Sequence, residues 1–289
     1  QLRLGEQKDI NEFCGMLFDQ LENSHPRAKR LIQRQYGGSF LHEVVSQDPD
    51  DPYTSERHEP YHMIDVAIQG KTNILDALEL MCQGEMLSGD NQYELPGGKK
   101  VDAMKRMAVD ALPPTLILHL KRFEFDFNTM QKVKLNDYCE FPMELDMYPY
   151  TIHGIREAEG TLTAADGRKK SKQYYEYELV GIVAHTGTVN SGHYYSFIRD
   201  QEREKHLEES GDSAAPSSSS SASCEWHEYN DRKVLPFSED RIPDECFGGE
   251  GTVSVRNTDR YGNVTTTVRK SPKQYSAYLL VYKRKHAGS

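Results

Sequence analysis

The chain has 289 residues, with 35 Lys and Arg against 45 Asp and Glu, a formal net charge of −10. That acidic balance argues against a general nucleic-acid binder, which needs a basic stripe to displace counterions from phosphates. Nowhere do about 18 apolar residues run together, as a membrane-spanning helix requires, and the stretch QLRLGEQKDI at 1–10 lacks the apolar centre of a secretory signal.

At roughly 150 residues per domain, the length fits one large or two modest domains with a real core. A hydrophobic fraction of 37% that includes 17 Tyr and a mean hydropathy of −0.74 predict that part of the chain stays outside any core. Cys14, Cys82, Cys139, Cys224 and Cys246 are odd in number and far apart. They fit neither a disulfide framework nor a CxxC zinc knuckle, and point to a reducing intracellular compartment, cytoplasm or nucleus.

The first predicted element is a helix at roughly 9–23, where Ile10, Phe13, Cys14, Leu17, Phe18 and Leu21 share one apolar face. Asp9 with Glu12 three residues on reads as its capping box. A second helix is expected from Pro26 to Gly37-Gly38, and a third over about 73–82. Residues 46–62, rich in charge and turn formers, read as a loop or hairpin tip. Strands are expected at 63–68, at 115–125 with a nearly continuous apolar run, and at 177–185, 193–199, 225–230 and 276–284. The polar stretches 155–173 and 201–223 read as disordered insertions between strands, because neither buries enough to offset its ordering entropy.

The most informative stretch is HTGTVNSGHYYSFIRD, His185 to Asp200. One predicted strand ends at His185, a loop rich in Gly, Ser, Thr and Asn follows, and the next strand starts at His193. His193 is thereby expected at a sheet rim, beside Gly192, with its imidazole open to a substrate. A lone hairpin histidine is more often a packing residue. WHEYND, Trp226 to Asp231, arrives on the following strand, however, and a neighbouring strand brings Asn230 or Asp231 against that ring. An amide or carboxylate there fixes the imidazole tautomer, as the third member of a nucleophilic triad must. A helical start followed by a β-rich half bearing His and then Asn or Asp is the layout of a papain-like cysteine protease. The nucleophile of such an enzyme comes first, at a helix N-terminus that lowers its thiol pKa.

These residues resemble the ubiquitin-specific protease family. GHYYSFIRD with VAHTG upstream, then WHEYND and SAYLLVYKR, is similar to its His box and the strands that follow. LPPTLILHLKRFEFD (112–126) with NDYCEFPMELDM (136–147) resembles the segment between finger and palm, GDNQY (89–93) the finger turn, and EQKDINEF (6–13) the QQD box. The matches run in order over nearly the whole chain, and are closest to the family's very large members. The resemblance implies an α+β, papain-like fold and a thiol protease that hydrolyses the peptide or isopeptide bond after the C-terminal glycine of ubiquitin. It makes ubiquitin and ubiquitinated proteins the partners, with no nucleic acid and no membrane. His193 would be the general base, Asn230 the residue that orients it and Asp231 a supporting acid. His185 would line the mouth of the site, Asp9 would contact the basic tail of ubiquitin, and Gly192 would leave room for its thin Gly-Gly end.

Two departures qualify the resemblance. The Cys box that precedes the QQD box in relatives is absent, and none of the five cysteines reads as a substitute, so the chain is expected to be a truncated piece lacking the nucleophile and inactive by itself. The thiols that often form a zinc site at the finger tip are missing from SQDPDD (46–51) and ELPGG (94–98), so neither a structural metal nor a cofactor is expected. The expected organisation is one catalytic domain over 1–285, with a helical thumb remnant at 1–36, fingers at 37–111 and a palm at 112–285. A ubiquitin-binding pseudoenzyme is the alternative. His119, Lys121 and the sole tryptophan, Trp226, read as structural or rim residues.

Overall fold

The computed structural model describes residues 9–189, 191–200, 226–258 and 264–285. Helix α1 (Ile10–Ser24) is capped by Asp9, whose Oδ1 accepts from the backbone N–H of Asn11 at 2.8 Å and of Glu12 at 3.4 Å. Its apolar stripe is only partly covered. Phe18 is buried against Tyr36 and His62, while Phe13, Met16, Leu17 and Leu21 are exposed. Helix α2 (Pro26–Tyr36) starts on a His25 cap with proline in its first turn and stops at Gly37, as the sequence predicts.

Strands β1 (Gly38–Ser46) and β2 (Thr54–Tyr61) form an antiparallel hairpin. The loop expected over 46–62 is therefore confined to its first half. The strand signal of β2 is hidden because SERHE faces solvent at a sheet edge, where charge takes the place of alternating apolar residues. Next come β3 (Ile64–Val66), α3 (Ile74–Cys82), β4 (Glu85–Leu87), the short pair β5 (Tyr93–Glu94) and β6 (Lys100–Val101), and β7 (Ala103–Ala111). The finger sheet has the order β2-β1-β7-β4. Although β3 and α3 lie inside the stretch expected to form fingers, β3 pairs in parallel with a palm strand, and Ile64, Val66, Ile74 and Leu78 belong to the palm core.

The strand expected over 115–125 is broken in two, β8 (Thr115–Leu120) and β9 (Phe123–Asp126), the latter paired with β10 (Gln131–Lys134). The break falls at Arg122. Its buried guanidinium donates to the carbonyls of Ala277 at 2.8 Å, Leu135 and Asp137 at 3.0 Å and Phe247 at 3.4 Å. Those four acceptors lie on three separate segments, so the chain turns out of the strand to place the side chain among them.

After β11 (Glu144–Asp146) comes helix α4 (Ile152–Glu159), closed by left-handed Gly160. This corrects the expectation of disorder over 155–173. The segment carries the end of α4 and short 3-10 turns at Ala164–Asp166 and Lys172–Tyr174. Ion pairs supply the order that apolar burial does not. Arg156 binds Glu43 at 2.5 Å, Glu56 at 2.6 Å and Asp166, while Arg106 binds Glu159 at 2.6 Å and Glu43. The other expected insertion, 201–223, lies outside the described residues.

The remaining strands are β12 (Glu176–Gly187), β13 (Gly192–Arg199), β14 (Trp226–Asn230), β15 (Lys233–Phe237), the hairpin β16 (Glu250–Thr258) with β17 (Val264–Pro272), and β18 (Tyr275–Arg284). The short helix α5 (Ile242–Cys246) precedes the hairpin. The palm sheet runs β15-β14-β13-β12-β18-β8-β3, with β11 also against β12. Its core gathers Leu118, Leu179, Ile182, Phe197, Trp226, Leu280 and Tyr282, all nearly inaccessible to solvent. Trp226 is a core anchor, its indole N–H donating to Glu239 at 3.2 Å.

Candidate active site

The hairpin that joins β12 to β13 sets the position of His193. The strands pair up to Thr186 opposite His193 and Gly187 opposite Gly192, leaving the loop 188–191 between them. Gly187 has φ +103°, a left-handed conformation that a side chain would strain, and a Cβ there would also strike the backbone of Ser191. At the root of this loop the Lys134 ammonium donates to the carbonyls of His185 at 3.0 Å, Gly187 at 3.3 Å and Gln274 at 2.9 Å. Burial pulls that ammonium down to about 8.

Across the sheet, β13 pairs with β14 as far as Ser196 opposite Tyr229. One further step sets Tyr195 level with Asn230, so His193 and Asn230 sit diagonally on one face, within reach of each other. Nε2 of His193 meets Oδ1 of Asn230 at 2.8 Å. Nδ2 of Asn230 in turn donates to Oε1 of Glu228 at 3.2 Å. The rings of His193 and Tyr195 lie nearly parallel, 6.4 Å apart. Asp231, left-handed with φ +52° in the tight turn to β15, holds a carboxylate oxygen 3.9 Å from Nε2. That is too long for a hydrogen bond. With Nε2 engaged by an amide oxygen, Nδ1 is the nitrogen left with a lone pair.

A cavity of about 530 Å³ opens beside Gly192, lined by Asp9, His119, Phe123, His185, Tyr194 and Tyr278 among others. Asp9 caps α1 and also accepts from the Tyr278 hydroxyl. His185 is buried and its Nδ1 has no protein partner. Burial, aided by Lys134, pushes its pKa down to about 4, so it lies neutral in the wall. Gly192 is required in the first place by His185, because a Cβ at 192 would overlap Nε2 of that ring.

The sequence-derived residues thus fall into two adjoining groups. His193, Asn230 and Asp231 come together at the sheet rim, and Asp9, His185 and Gly192 line the neighbouring cavity. Glu228 was not anticipated, although its place two residues before Asn230 on a strand puts both on one face. Lys134 had no local signal, since its partners lie 51, 53 and 140 residues away. Among the described thiols burial pushes Cys82 up to about 12 and Cys139 to about 11, and raises Cys14 and Cys246. None of these four has the lowered pKa of a nucleophile. Cys224 lies outside the described residues.

The family model described as ubiquitin carboxyl-terminal hydrolase matches residues 1–282. The chain is 34% identical to Ubiquitin carboxyl-terminal hydrolase 34 of Homo sapiens, over 98% of this chain and 8% of that protein. It is 32% identical to Probable ubiquitin carboxyl-terminal hydrolase FAF of Drosophila melanogaster, over 98% of this chain and 10% of that protein. It thus spans about a tenth of the length of these curated relatives. Among solved structures, it is similar to a chain of the SAGA DUB module Ubp8/Sgf11/Sus1/Sgf73 bound to monoubiquitin. That match has a TM-score of 0.64 and 23% identity, and covers 98% of this chain and 49% of the other. The structural likeness bears on the fold alone, which is α+β and papain-like.

Proposed function

Since the chain belongs to the ubiquitin carboxyl-terminal hydrolase family, we propose that it forms the His/Asn half of a cysteine-type deubiquitinase site. The observation that carries this is the 2.8 Å contact of His193 Nε2 with Asn230 Oδ1, which leaves the Nδ1 lone pair unengaged, one residue after Gly192 at the cavity wall. In the proposed reaction, Nδ1 takes the proton of a cysteine thiol. The thiolate attacks the carbonyl of ubiquitin's C-terminal glycine, and the C–N bond breaks as His193 returns the proton to the leaving amine. Water activated by the same nitrogen then hydrolyses the thioester and frees the thiol. Asn230 holds the ring through both proton transfers, and Asp231 is its supporting neighbour in the turn to β15.

We read the cavity as the path of the ubiquitin tail, with Asp9 at its wall and Gly192 beside the catalytic end. The thiol that His193 serves is none of the four described ones, whose pKa values are all raised. We assign thumb, fingers and palm to 1–36, 37–111 and 112–285, with β3 and α3 packed on the palm. Ubiquitin and its protein conjugates are the proposed partners. The cytoplasm or nucleus is the proposed location, in keeping with the unpaired thiols of Cys14, Cys82, Cys139 and Cys246.

The test uses ubiquitin carrying a thiol-reactive electrophile at its C-terminus. It is mixed with this chain and with a longer natural chain that includes the residues upstream. Covalent capture of the longer chain alone, slowed about 10²-fold or more by His193→Ala, is the expected result. Binding by both forms without capture would favour the pseudoenzyme.

A further inference from the structure

A site built on Asn230 faces a problem that an aspartate would not. A carboxylate offers His193 only acceptors, whereas an amide has an acceptor on one side and a donor on the other, and the two are interchangeable by a 180° flip. With Oδ1 toward the ring, Nε2 carries the proton and Nδ1 is basic. With Nδ2 toward the ring, Nε2 must accept, the proton moves to Nδ1, and the nitrogen that should deprotonate a thiol is already protonated. Something must choose between the two.

We propose that Glu228 makes that choice, as a positioning residue that locks the amide of Asn230 and thereby the tautomer of His193. Its carboxylate can only accept, so the Asn230 atom 3.2 Å away is Nδ2, and Oδ1 is left to face Nε2 at 2.8 Å. The strand enforces the arrangement. Trp226, Glu228 and Asn230 alternate onto one face of β14, and Glu228 is fixed between its register partners Phe197 on β13 and Leu235 on β15. Asp231 cannot do the same, because its carboxylate lies 3.9 Å from Nε2 and projects into solvent. The inference rests on the catalytic reading of His193 only for its consequence; the tautomer itself is a property of the folded chain.

Three variants separate acceptor chemistry from charge and from support of the strand. Glu228→Gln can still offer an acceptor but no longer obliges it, since its own amide can flip, and is expected to cost about three- to tenfold, clearly less than a residue with donors alone. Glu228→Lys presents only donors, which reverses the amide, and is expected to cost about 10³–10⁴-fold in kcat/KM, the scale of a wrong-tautomer defect. Glu228→Lys combined with Asn230→Asp restores an obligatory acceptor toward His193, and is expected to recover to within about tenfold of Asn230→Asp alone. The tautomer is read independently from the ¹⁵N shifts of the His193 ring in the 289-residue chain, above its titration. Nε2–H is expected in the native chain, a mixture of the two tautomers in Glu228→Gln, Nδ1–H in Glu228→Lys, and Nε2–H again in the double variant. Activity is read in whichever N-terminally extended form the electrophilic ubiquitin captures. An unchanged tautomer in Glu228→Lys, or equal losses in Glu228→Gln and Glu228→Lys, overturns the proposal. A switched tautomer with unchanged turnover leaves it standing and refutes the catalytic reading of His193.

Discussion

Arg122 and Gly192 show how single side chains, or their absence, set the shape of the site. Arg122 is an ionised group in the core with no carboxylate ion pair among the described residues, held by four backbone carbonyls on three segments. Burial still draws its pKa down, to about 10, leaving it charged at neutral pH. Replacing it by Ala strands those carbonyls in a dry core. The expected loss, read by urea denaturation, is on the order of 3–5 kcal/mol. Arg122→Lys is expected to recover only part, since one ammonium cannot span the same acceptors. Gly192 shows the opposite economy of atoms: the space a methyl group would occupy is filled by the His185 ring. The closeness of His193 to Asn230 and Asp231, and of His185 to Gly192, is legible because these residues sit in two short, unusual sequence stretches. Glu228 is not, because in sequence it is one more charged residue on a strand, and its meaning depends on a 3.2 Å hydrogen bond that forms only in the folded chain.

At the scale of elements, the helices and palm strands follow the apolar periodicity closely, because each buries a regular face. What the sequence conceals are elements held by something other than burial. Strand β2 is a charged edge, and the helix and turns of 152–174 hang on arginine. Glu43, almost wholly buried on β1, is the hinge of that arrangement, accepting from Arg106 on β7 and Arg156 on α4. Polar composition alone cannot distinguish a solvated segment from one tied down by a buried carboxylate more than a hundred residues upstream. Glu43→Ala leaves two guanidinium groups facing each other without their shared counter-charge. It is expected to cost about 3–5 kcal/mol and to raise amide exchange in α4 before that of the palm strands. Uniform exchange across both would show that α4 does not depend on this link.

For the molecule as a whole, the buried histidine in the cavity wall couples stability to acidity. His185 has a folded pKa of about 4, below its unfolded value near 6.5. Between these values the unfolded chain binds more protons than the folded one, so stability rises with pH and is lost as pH falls from about 6.5 toward 4. The loss attributable to this residue is on the order of 1–2 kcal/mol, discounted for relaxation and water entry. Thermal midpoints measured across that range are expected to fall, and less steeply in His185→Gln. Equal slopes would assign the acid sensitivity to other groups. The sheet order adds a constraint on how the molecule is made. Strand β18 lies between β12 and β8, although it is synthesised about a hundred residues after the first of them begins and about 160 after the second. Until it emerges from the ribosome, the two central edges it will join are unpaired, with Leu118, Ile182 and their neighbours exposed. A nascent chain of this kind is a natural client for chaperones, and a ribosome that stalls before Tyr275 releases two half-sheets that are each primed to aggregate.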